Sequence, residues 1–150
     1  MSLHIVLIEP EIHTNTGNIG RLSLATGSHL HLVKPFGFEL TDSRLKRAGL
    51  DYWQHIELSI YENTAEFLQK NKDRKMVFLS SHGTKDYTEI PYAKDTMLVF
   101  GKESKGLSSA LTTRFKNDLY KIPQYSEHIR SINLANAVAV ITYEGLRQLR

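Results

Sequence analysis

The chain of 150 residues contains no cysteine. This absence excludes thiolate nucleophiles, cysteine-ligated zinc, iron–sulfur clusters and disulfides. The sequence also has no apolar run near the roughly 20 residues that span a bilayer. Its first nine residues lack the basic region, long apolar core and small-residue cleavage site of a signal peptide. We therefore expect a cytoplasmic protein with no membrane partner.

Neither sign of charge dominates the composition. There are 19 lysines and arginines against 16 acidic residues, which gives a formal net charge of +3 and a pI near 9.1. This mildly basic balance permits a nucleic-acid partner without requiring one. The sequence shows no internal repeat, low-complexity tract or linker. It is therefore predicted to fold as a single domain over residues 1–150, because that length is sufficient for one compact core.

A metal-ligand motif is also missing from the sequence. The seven histidines show neither H-x-x-x-H spacing nor another recognisable ligand cluster. We expect each of them to be structural or exposed, and we expect no metal. A Ser-His-Asp set cannot be inferred without geometry.

Short apolar runs alternate with helical patterns along the chain. This alternation predicts an α/β fold with a mostly parallel sheet flanked by helices. Ligand sites in such sheets gather at the carboxyl ends of the strands. Strands are predicted over 3–8, 30–33, 55–60, 76–80, 96–100 and 118–122, and helices over 20–26, 41–48, 64–70, 108–115 and 134–148.

Three segments that follow predicted strands carry small and polar residues. In the first, over 15–21, two glycines three apart let main chain approach a ligand closely, or else form a tight turn capped by Asn15. Arg21 suits either a phosphate or ordinary surface exposure. The segment lacks the full G-x-G-x-x-G spacing, so a Rossmann dinucleotide site is disfavoured.

The second segment, over 101–107, has the spacing G-x-x-x-x-G but not the Lys-Ser/Thr pair of a P-loop. Its Glu103 is suited to accept hydrogen bonds or to cap the following helix. The third segment runs from Ile122 to the start of the last helix and contains Ser131 and Asn133. These two side chains either cap that helix or bond a ligand at its N-terminus, where free N–H groups favour polar or anionic groups.

Together, the three segments resemble the motifs of the SpoU branch of the SPOUT RNA methyltransferases. Each matching position falls in the family's order and spacing, and the resemblance covers essentially the whole chain. The matches are Asn15, Gly17 and Arg21 in the first segment, Phe100, Gly101, Glu103, Gly106 and Leu107 in the second, and Ile122, Pro123, Ser131, Asn133, Leu134 and Ala137 in the third.

The resemblance implies a deep C-terminal trefoil knot that binds S-adenosyl-L-methionine, and a homodimer whose sites draw on both subunits. It also implies roles for particular residues. Cofactor contacts are expected at Leu79, Gly101, Glu103, Ile122 and Ser131, and catalytic roles are expected for Arg21, Asn15, Ser131 and Asn133.

Within the family, segments 34–38 and 44–52 are similar to the short subgroup that methylates the wobble nucleotide of tRNA. This similarity implies 2′-O-methyl transfer to the cytidine or uridine of a tRNA anticodon stem-loop. Two alternatives stay open. One is a non-catalytic RNA-binding protein of the same fold, suggested by the basic face over 44–47. The other is a Rossmann-like nucleotide-binding enzyme.

Overall fold

The computed structural model describes residues 2–40 and 51–150. Within this part, seven strands form one parallel sheet in the order β3-β2-β1-β6-β4-β7-β5. The predicted helix over 41–48 and the basic face over 44–47 lie outside the described residues. The strands are β1 His4–Ile8, β2 His29–Val33, β3 Leu58–Tyr61, β4 Met76–Leu79, β5 Lys85–Asp86, β6 Met97–Phe100 and β7 Leu119–Lys121.

Four α-helices of the described part cover the sheet, and short 3₁₀ turns connect some of the elements. None of these helices is long and apolar enough to cross a membrane. The α-helices are α1 His13–Thr26, α2 Thr64–Lys70, α3 Ser109–Arg114 and α4 Leu134–Leu149, and the 3₁₀ turns are Asp51–His55, Tyr87–Glu89 and Lys116–Asp118.

The central strands bury both faces, as expected for a parallel sheet covered on two sides. Successive side chains of β1 alternate between two cores because a strand has a period of two. Ile5 enters the core beneath α1 and α4, where Ile141 of α4 is fully buried. Val6 enters the other core, which contains Phe67 of α2 and Leu111 of α3. The sheet is therefore a rigid platform between two helical layers.

The predicted alternation of strands and helices agrees with this fold. Of the twelve ends of the six predicted strands, four match the structure, seven differ from it by one residue and one differs by three. Asn63 caps α2 by accepting a hydrogen bond from the Glu66 N–H at 2.8 Å, as its spacing predicts. The strand predicted over 55–60 is wrong at its start, since His55 ends a 3₁₀ turn and β3 begins at Leu58. The two-residue strand β5 is too short to show a period.

The largest correction concerns the first polar segment. Residues 15–21 do not form a loop, because α1 begins at His13 and runs through them. Asn15 is therefore not a cap. Gly20 provides room for a neighbour, since a Cβ at this position would lie 2.5 Å from the Trp53 ring. Long-range packing of this kind leaves no periodic signal, so sequence reasoning interpreted the glycines as a turn.

Candidate active site

A cavity of about 890 Å³ opens at the carboxyl ends of β4, β6 and β7. The residues that follow each of these strands line the cavity. Open parallel sheets place their ligand sites at the carboxyl ends of the strands. Leu79 ends β4, Gly101 follows β6, and Ile122 follows β7. Helix α1 contributes Asn15 to the same wall. The first turn of α4 closes the remaining side.

The loop after β6 is held in a compact shape by its two glycines. The Gly106 N–H donates to the Lys102 carbonyl at 2.8 Å, and Gly106 has a left-handed φ of 67°. A Cβ on Gly101 would lie 2.1 Å from the Gly106 carbonyl carbon. No larger residue fits there without a shift of main chain. The loop therefore presents backbone, rather than side chains, to part of the cavity.

Glu103 in this loop caps a helix that lies far away in the sequence. Its carboxylate accepts hydrogen bonds from the backbone N–H groups of Glu11 at 2.8 Å and Ile12 at 2.9 Å. It also accepts one from Asn15 Nδ2 at 3.2 Å. The N-cap position of α1 is Ile12, whose side chain cannot accept a hydrogen bond. Glu103 supplies the missing acceptor, and its negative charge suits the positive end of the helix dipole.

A second contact fastens the same two segments together. The Glu11 carboxylate accepts the Ser104 N–H at 2.8 Å. Hydrogen bonding to Ser104 holds the pKa of the Glu11 carboxyl below its usual value. Glu103 thus binds the backbone at the start of α1, and Glu11 binds the backbone of the loop that follows β6.

Asn15 connects this pair to the third segment. Its Oδ1 accepts a hydrogen bond from Asn133 Nδ2 at 3.1 Å. Asn133 is also the N-cap of α4, because its side-chain oxygen accepts the Asn136 N–H at 3.2 Å. The capping role predicted for Asn133 is thus confirmed, and its role in binding a ligand stays a prediction. A continuous chain of side chains, Glu103–Asn15–Asn133, joins all three polar segments at the cavity.

Arg130 adds a further link between the second and third segments, since its guanidinium donates to the Ser104 carbonyl at 3.3 Å. Ser131 next to it is exposed and lines the cavity. The segment between β7 and α4 is thereby placed over the loop that follows β6.

The structure brings together every predicted site residue except Arg21. The cavity is lined by Asn15, Leu79, Gly101, Glu103, Ile122, Ser131 and Asn133. Arg21 is absent from the described lining. It follows Asn15 by six residues on α1, which turns its side chain about 120° around the helix axis. Its guanidinium carbon lies 5.9 Å from the centre of the Tyr52 ring. Both carboxylate oxygens of Glu103 are engaged in hydrogen bonds to the start of α1. The cofactor contact expected for Glu103 therefore stays a prediction.

Sequence reasoning missed two features. One is the group that follows β4 into the cavity, which includes Ser80 and His82; their position after a buried strand was the available signal. The other is a cluster of His4, His29 and His31 at the opposite edge of the sheet. The absence of H-x-x-x-H spacing does not exclude such a cluster. His29 and His31 have H-x-H spacing, which on a strand also places two imidazoles on one face.

Comparison with known proteins agrees with this geometry. Residues 2–143 match the SpoU rRNA Methylase family. A relative from Listeria monocytogenes is 45% identical over 99% of this chain and 89% of its own length. A relative from Saccharophagus degradans, named tRNA (cytidine(34)-2′-O)-methyltransferase, is 42% identical over 97% of this chain and 95% of its own length.

A solved structure described as giving insight into the 2′-OH methylation of C/U34 on tRNA is similar throughout. It has a TM-score of 0.91 and 41% identity, and the match covers 98% of this chain and 95% of that one. An AdoMet-bound rRNA methyltransferase from Sinorhizobium meliloti has a TM-score of 0.87 and 27% identity. That match covers 99% of this chain and 57% of the other.

Proposed function

Because this chain belongs to the SpoU rRNA Methylase family, we propose that it is a tRNA 2′-O-methyltransferase dependent on S-adenosyl-L-methionine. It transfers a methyl group to the ribose 2′-hydroxyl of the cytidine or uridine at the anticodon wobble position. The observation that carries the proposal is the cavity at the strand ends, where the Glu103–Asn15–Asn133 chain joins the three polar segments. The closely similar relatives with that activity in their names support the choice of substrate.

The residues of the cavity fit this cofactor. Its volume of about 890 Å³ lies in the range of small-molecule sites. Leu79 and Ile122 offer apolar surface for an adenine ring, and the Gly101 loop offers main chain at a place where a Cβ would not fit. When bound, S-adenosyl-L-methionine supplies a methyl group on a sulfonium, which is a good leaving group. The protein then has to supply alignment and help with the hydroxyl proton.

Asn15 and Asn133 orient the target ribose. The Asn133 amide donates to Asn15 Oδ1, and Asn15 Nδ2 donates to Glu103, so the orientation of the Asn15 amide is fixed from both ends. A fixed amide can bond a ribose hydroxyl without first losing rotamer freedom. Ser131 adds a hydroxyl at the same wall. Recognition of the 2′-hydroxyl also separates RNA from DNA.

Arg21 acts on the substrate from a second copy of the chain. Its guanidinium stays protonated, so it serves as a positive charge rather than as a base. Beside the 2′-oxygen and the adjacent phosphate, that charge stabilises the negative charge that develops as the hydroxyl proton leaves. The role requires a homodimer, because Arg21 lies outside the described lining of its own cavity.

Exposed apolar side chains on α1 and α4 support this homodimer. Leu24 is 38% exposed, Val140 is 39% exposed and Tyr143 is 51% exposed. They lie on the two helices that pack against each other on one face of the sheet. A second copy covers them and brings the partner's Arg21 to the cavity.

We also propose that the path from β6 to α4 forms the trefoil knot. After β7, the chain returns to the loop that follows β6, where Arg130 bonds Ser104, before it enters α4. Tracing this path in an experimental structure tests it. The expected cytoplasmic location and the single domain over 1–150 stay predictions.

Mixed dimers test the proposed function and the shared site in one experiment. Arg21→Ala and Asn133→Ala are purified, combined after reversible dissociation, and assayed for methyl transfer from labelled S-adenosyl-L-methionine to unmodified tRNA. Each variant alone is expected to be inactive. Random mixing should restore about a quarter of wild-type activity, since half of the dimers then contain one intact composite site.

If Arg21 acts in its own subunit, no mixed dimer has an intact site and the mixture stays inactive. Arg114→Ala, which alters an exposed arginine on α3, is the matched control and should keep full activity. An inactive wild-type protein would overturn the enzyme proposal, and an inactive mixture would overturn only the shared site. Calorimetry with S-adenosyl-L-methionine should show nearly unchanged affinity for Arg21→Ala.

A further inference from the structure

The histidine cluster lies near the amino ends of β1 and β2, whereas the candidate active site lies at the carboxyl ends of the strands. His4 opens β1, and His29 is its partner in the ladder at the start of β2. His31 lies two residues further on and shares the face of His29. His4 is 5% exposed and His31 is 3% exposed. Buried polar rings at this density need partners, so the cluster calls for a physical explanation.

The three imidazoles place possible ligand atoms close together. One ring nitrogen from each lies within 4.8 Å of the other two, and His4 Nδ1 is 2.8 Å from His31 Nε2. A tetrahedral zinc with Zn–N bonds of 2.0–2.1 Å holds its ligand nitrogens about 3.3 Å apart. The first pair must therefore separate by about half an ångström to admit the metal. The His29 ring lies over the His31 ring, with centroids 4.3 Å apart, and its Nε2 lies 2.8 Å from the Ser59 hydroxyl. To bind the metal, the ring must leave that hydroxyl and rotate about its Cβ–Cγ bond.

The outer nitrogens of two of these rings already have the partners that metal-bound histidines use. His4 Nε2 lies 3.3 Å from the Asp95 carboxylate, and His31 Nδ1 lies 2.8 Å from the Tyr61 hydroxyl. A carboxylate only accepts, so opposite Asp95 the His4 proton sits on Nε2. The Tyr61 hydroxyl also accepts a hydrogen bond from Asn71 Nδ2 at 3.2 Å, and it has both an acceptor and a donor to offer to His31 Nδ1. Where Tyr61 accepts, the inner nitrogens of His4 and His31 face each other as lone pairs, which is the arrangement a cation relieves. Where Tyr61 donates, His31 Nε2–H donates to His4 Nδ1, and the pair is satisfied without a metal.

Arg74 offers another metal-free arrangement. Its Nη1 lies 3.1 Å from the same His4 Nε2, and a donor there moves the His4 proton to Nδ1. The His4–His31 contact is then an ordinary hydrogen bond with no metal. Arg74 is exposed on the surface, so it can turn into solvent at little cost. Each metal-free arrangement differs from the metal-bound one in a tautomer, that of His4 for Arg74 and that of His31 for Tyr61, which an experiment can observe.

Charged side chains surround the cluster. Desolvation by burial lowers the pKa of all three histidines, most strongly for His31. Glu57, 3.5 Å from His29 Nδ1, and Asp95 offset the charge of the metal. A cavity of about 420 Å³ beside His4 opens to solvent, and its lining includes the acidic Asp73 and Asp95 together with the basic Arg74, Lys75 and Lys94.

We propose that His4, His29 and His31 bind a divalent transition metal, most suitably zinc. An all-imidazole ligand set suits zinc, and it does not suit the hard oxygen-seeking cations. The site stands apart from methyl transfer, since it joins the amino ends of β1 and β2, whereas the candidate active site lies at the carboxyl ends of the strands. The bound metal holds β1 and β2 together near their amino ends.

Calorimetry with zinc chloride on metal-stripped protein, free of any affinity tag, tests the proposal at pH 7.5. Wild type is expected to take up one zinc per chain, and His29→Gln should weaken that binding at least about tenfold. His29→Gln is chosen because His29 is the least buried of the three. His55→Gln, which alters an exposed histidine outside the cluster, is the matched control and should bind as wild type does.

Imidazole ¹⁵N resonances of wild type give a second measurement that needs no variant. Zinc should shift the resonances of three of the seven histidines, with the metal on Nδ1 of His4 and on Nε2 of His31. No uptake by wild type, equal uptake by His29→Gln, or shifts confined to other histidines would each overturn the proposal. In that case, a hydrogen-bonded arrangement through Arg74 or Tyr61 describes the cluster.

Discussion

The substitution Glu103→Gln tests whether one carboxylate holds the candidate active site together. In the wild type, this group accepts hydrogen bonds from Glu11 N at 2.8 Å, Ile12 N at 2.9 Å and Asn15 Nδ2 at 3.2 Å. Glutamine keeps one oxygen but turns the other acceptor into an NH₂ group that faces N–H donors. Helix α1 has no side-chain cap from Ile12, so the lost acceptor is not replaced locally.

The expected loss can be worked from these contacts. A hydrogen bond to a charged group contributes about 1.5–3 kcal/mol, and a negative charge at a helix N-terminus contributes about 0.3–1 kcal/mol. One bond and the charge are lost in a partly exposed setting, so we expect the free energy of unfolding to fall by about 2–3 kcal/mol. For a chain of this size, that corresponds to a fall in Tm of roughly 4–12 °C.

Urea unfolding at fixed protein concentration measures this loss, with Glu39→Gln as the control. Glu39 is an exposed glutamate of the described part, and its substitution should change stability by less than about 0.5 kcal/mol. Methyl transfer by folded Glu103→Gln should fall as well, because the neutral amide oxygen that replaces the carboxylate holds the Asn15 amide less firmly. Equal stability of the two variants would refute the capping role, and full activity of folded Glu103→Gln would refute the positioning role.

Three further predictions concern the same site. Asn133→Asp should keep the α4 cap and stability within about 0.5 kcal/mol, yet lower methyl transfer because it cannot donate to Asn15; stability loss with full activity would contradict this. Gly101→Ala should weaken S-adenosyl-L-methionine binding at least about tenfold by calorimetry, since the added Cβ overlaps main chain; unchanged affinity would show that the loop does not form the cofactor wall. Gly20→Ala should lower the free energy of unfolding by about 1–3 kcal/mol, because the added Cβ overlaps the Trp53 ring, and it should leave cofactor affinity unchanged. A loss of cofactor affinity without a loss of stability would contradict this and indicate that Gly20 contacts the ligand.

The fold and much of the site can be predicted from local patterns in the sequence. Short apolar runs indicate the strands of the sheet, and the rule for parallel sheets then places Leu79, Gly101 and Ile122 at one edge. The cap of α2 at Asn63 also follows from spacing alone. These features are local, because the residues that define each one lie within a few positions of each other.

The features that could not be predicted depend on contacts between distant residues. Glu103 caps a helix whose start lies about ninety positions away, so the sequence could not show that α1 extends back to His13. Gly20 yields space to Trp53, which no periodicity reveals. His4 meets His29 only through strand pairing. Arg21 lies outside the described lining of the cavity, and its proposed role rests on a second copy of the chain, which local pattern and spacing do not show.

Nucleoside mass spectrometry of tRNA after incubation with the protein and S-adenosyl-L-methionine tests the central claim most directly. Unmodified tRNA should gain one 2′-O-methylated cytidine or uridine at the wobble position, and a transcript with a 2′-deoxy nucleotide there should gain none. Salt-sensitive tRNA binding without any methylated nucleoside would contradict the account. It would identify the chain as a non-catalytic RNA-binding protein that keeps the fold.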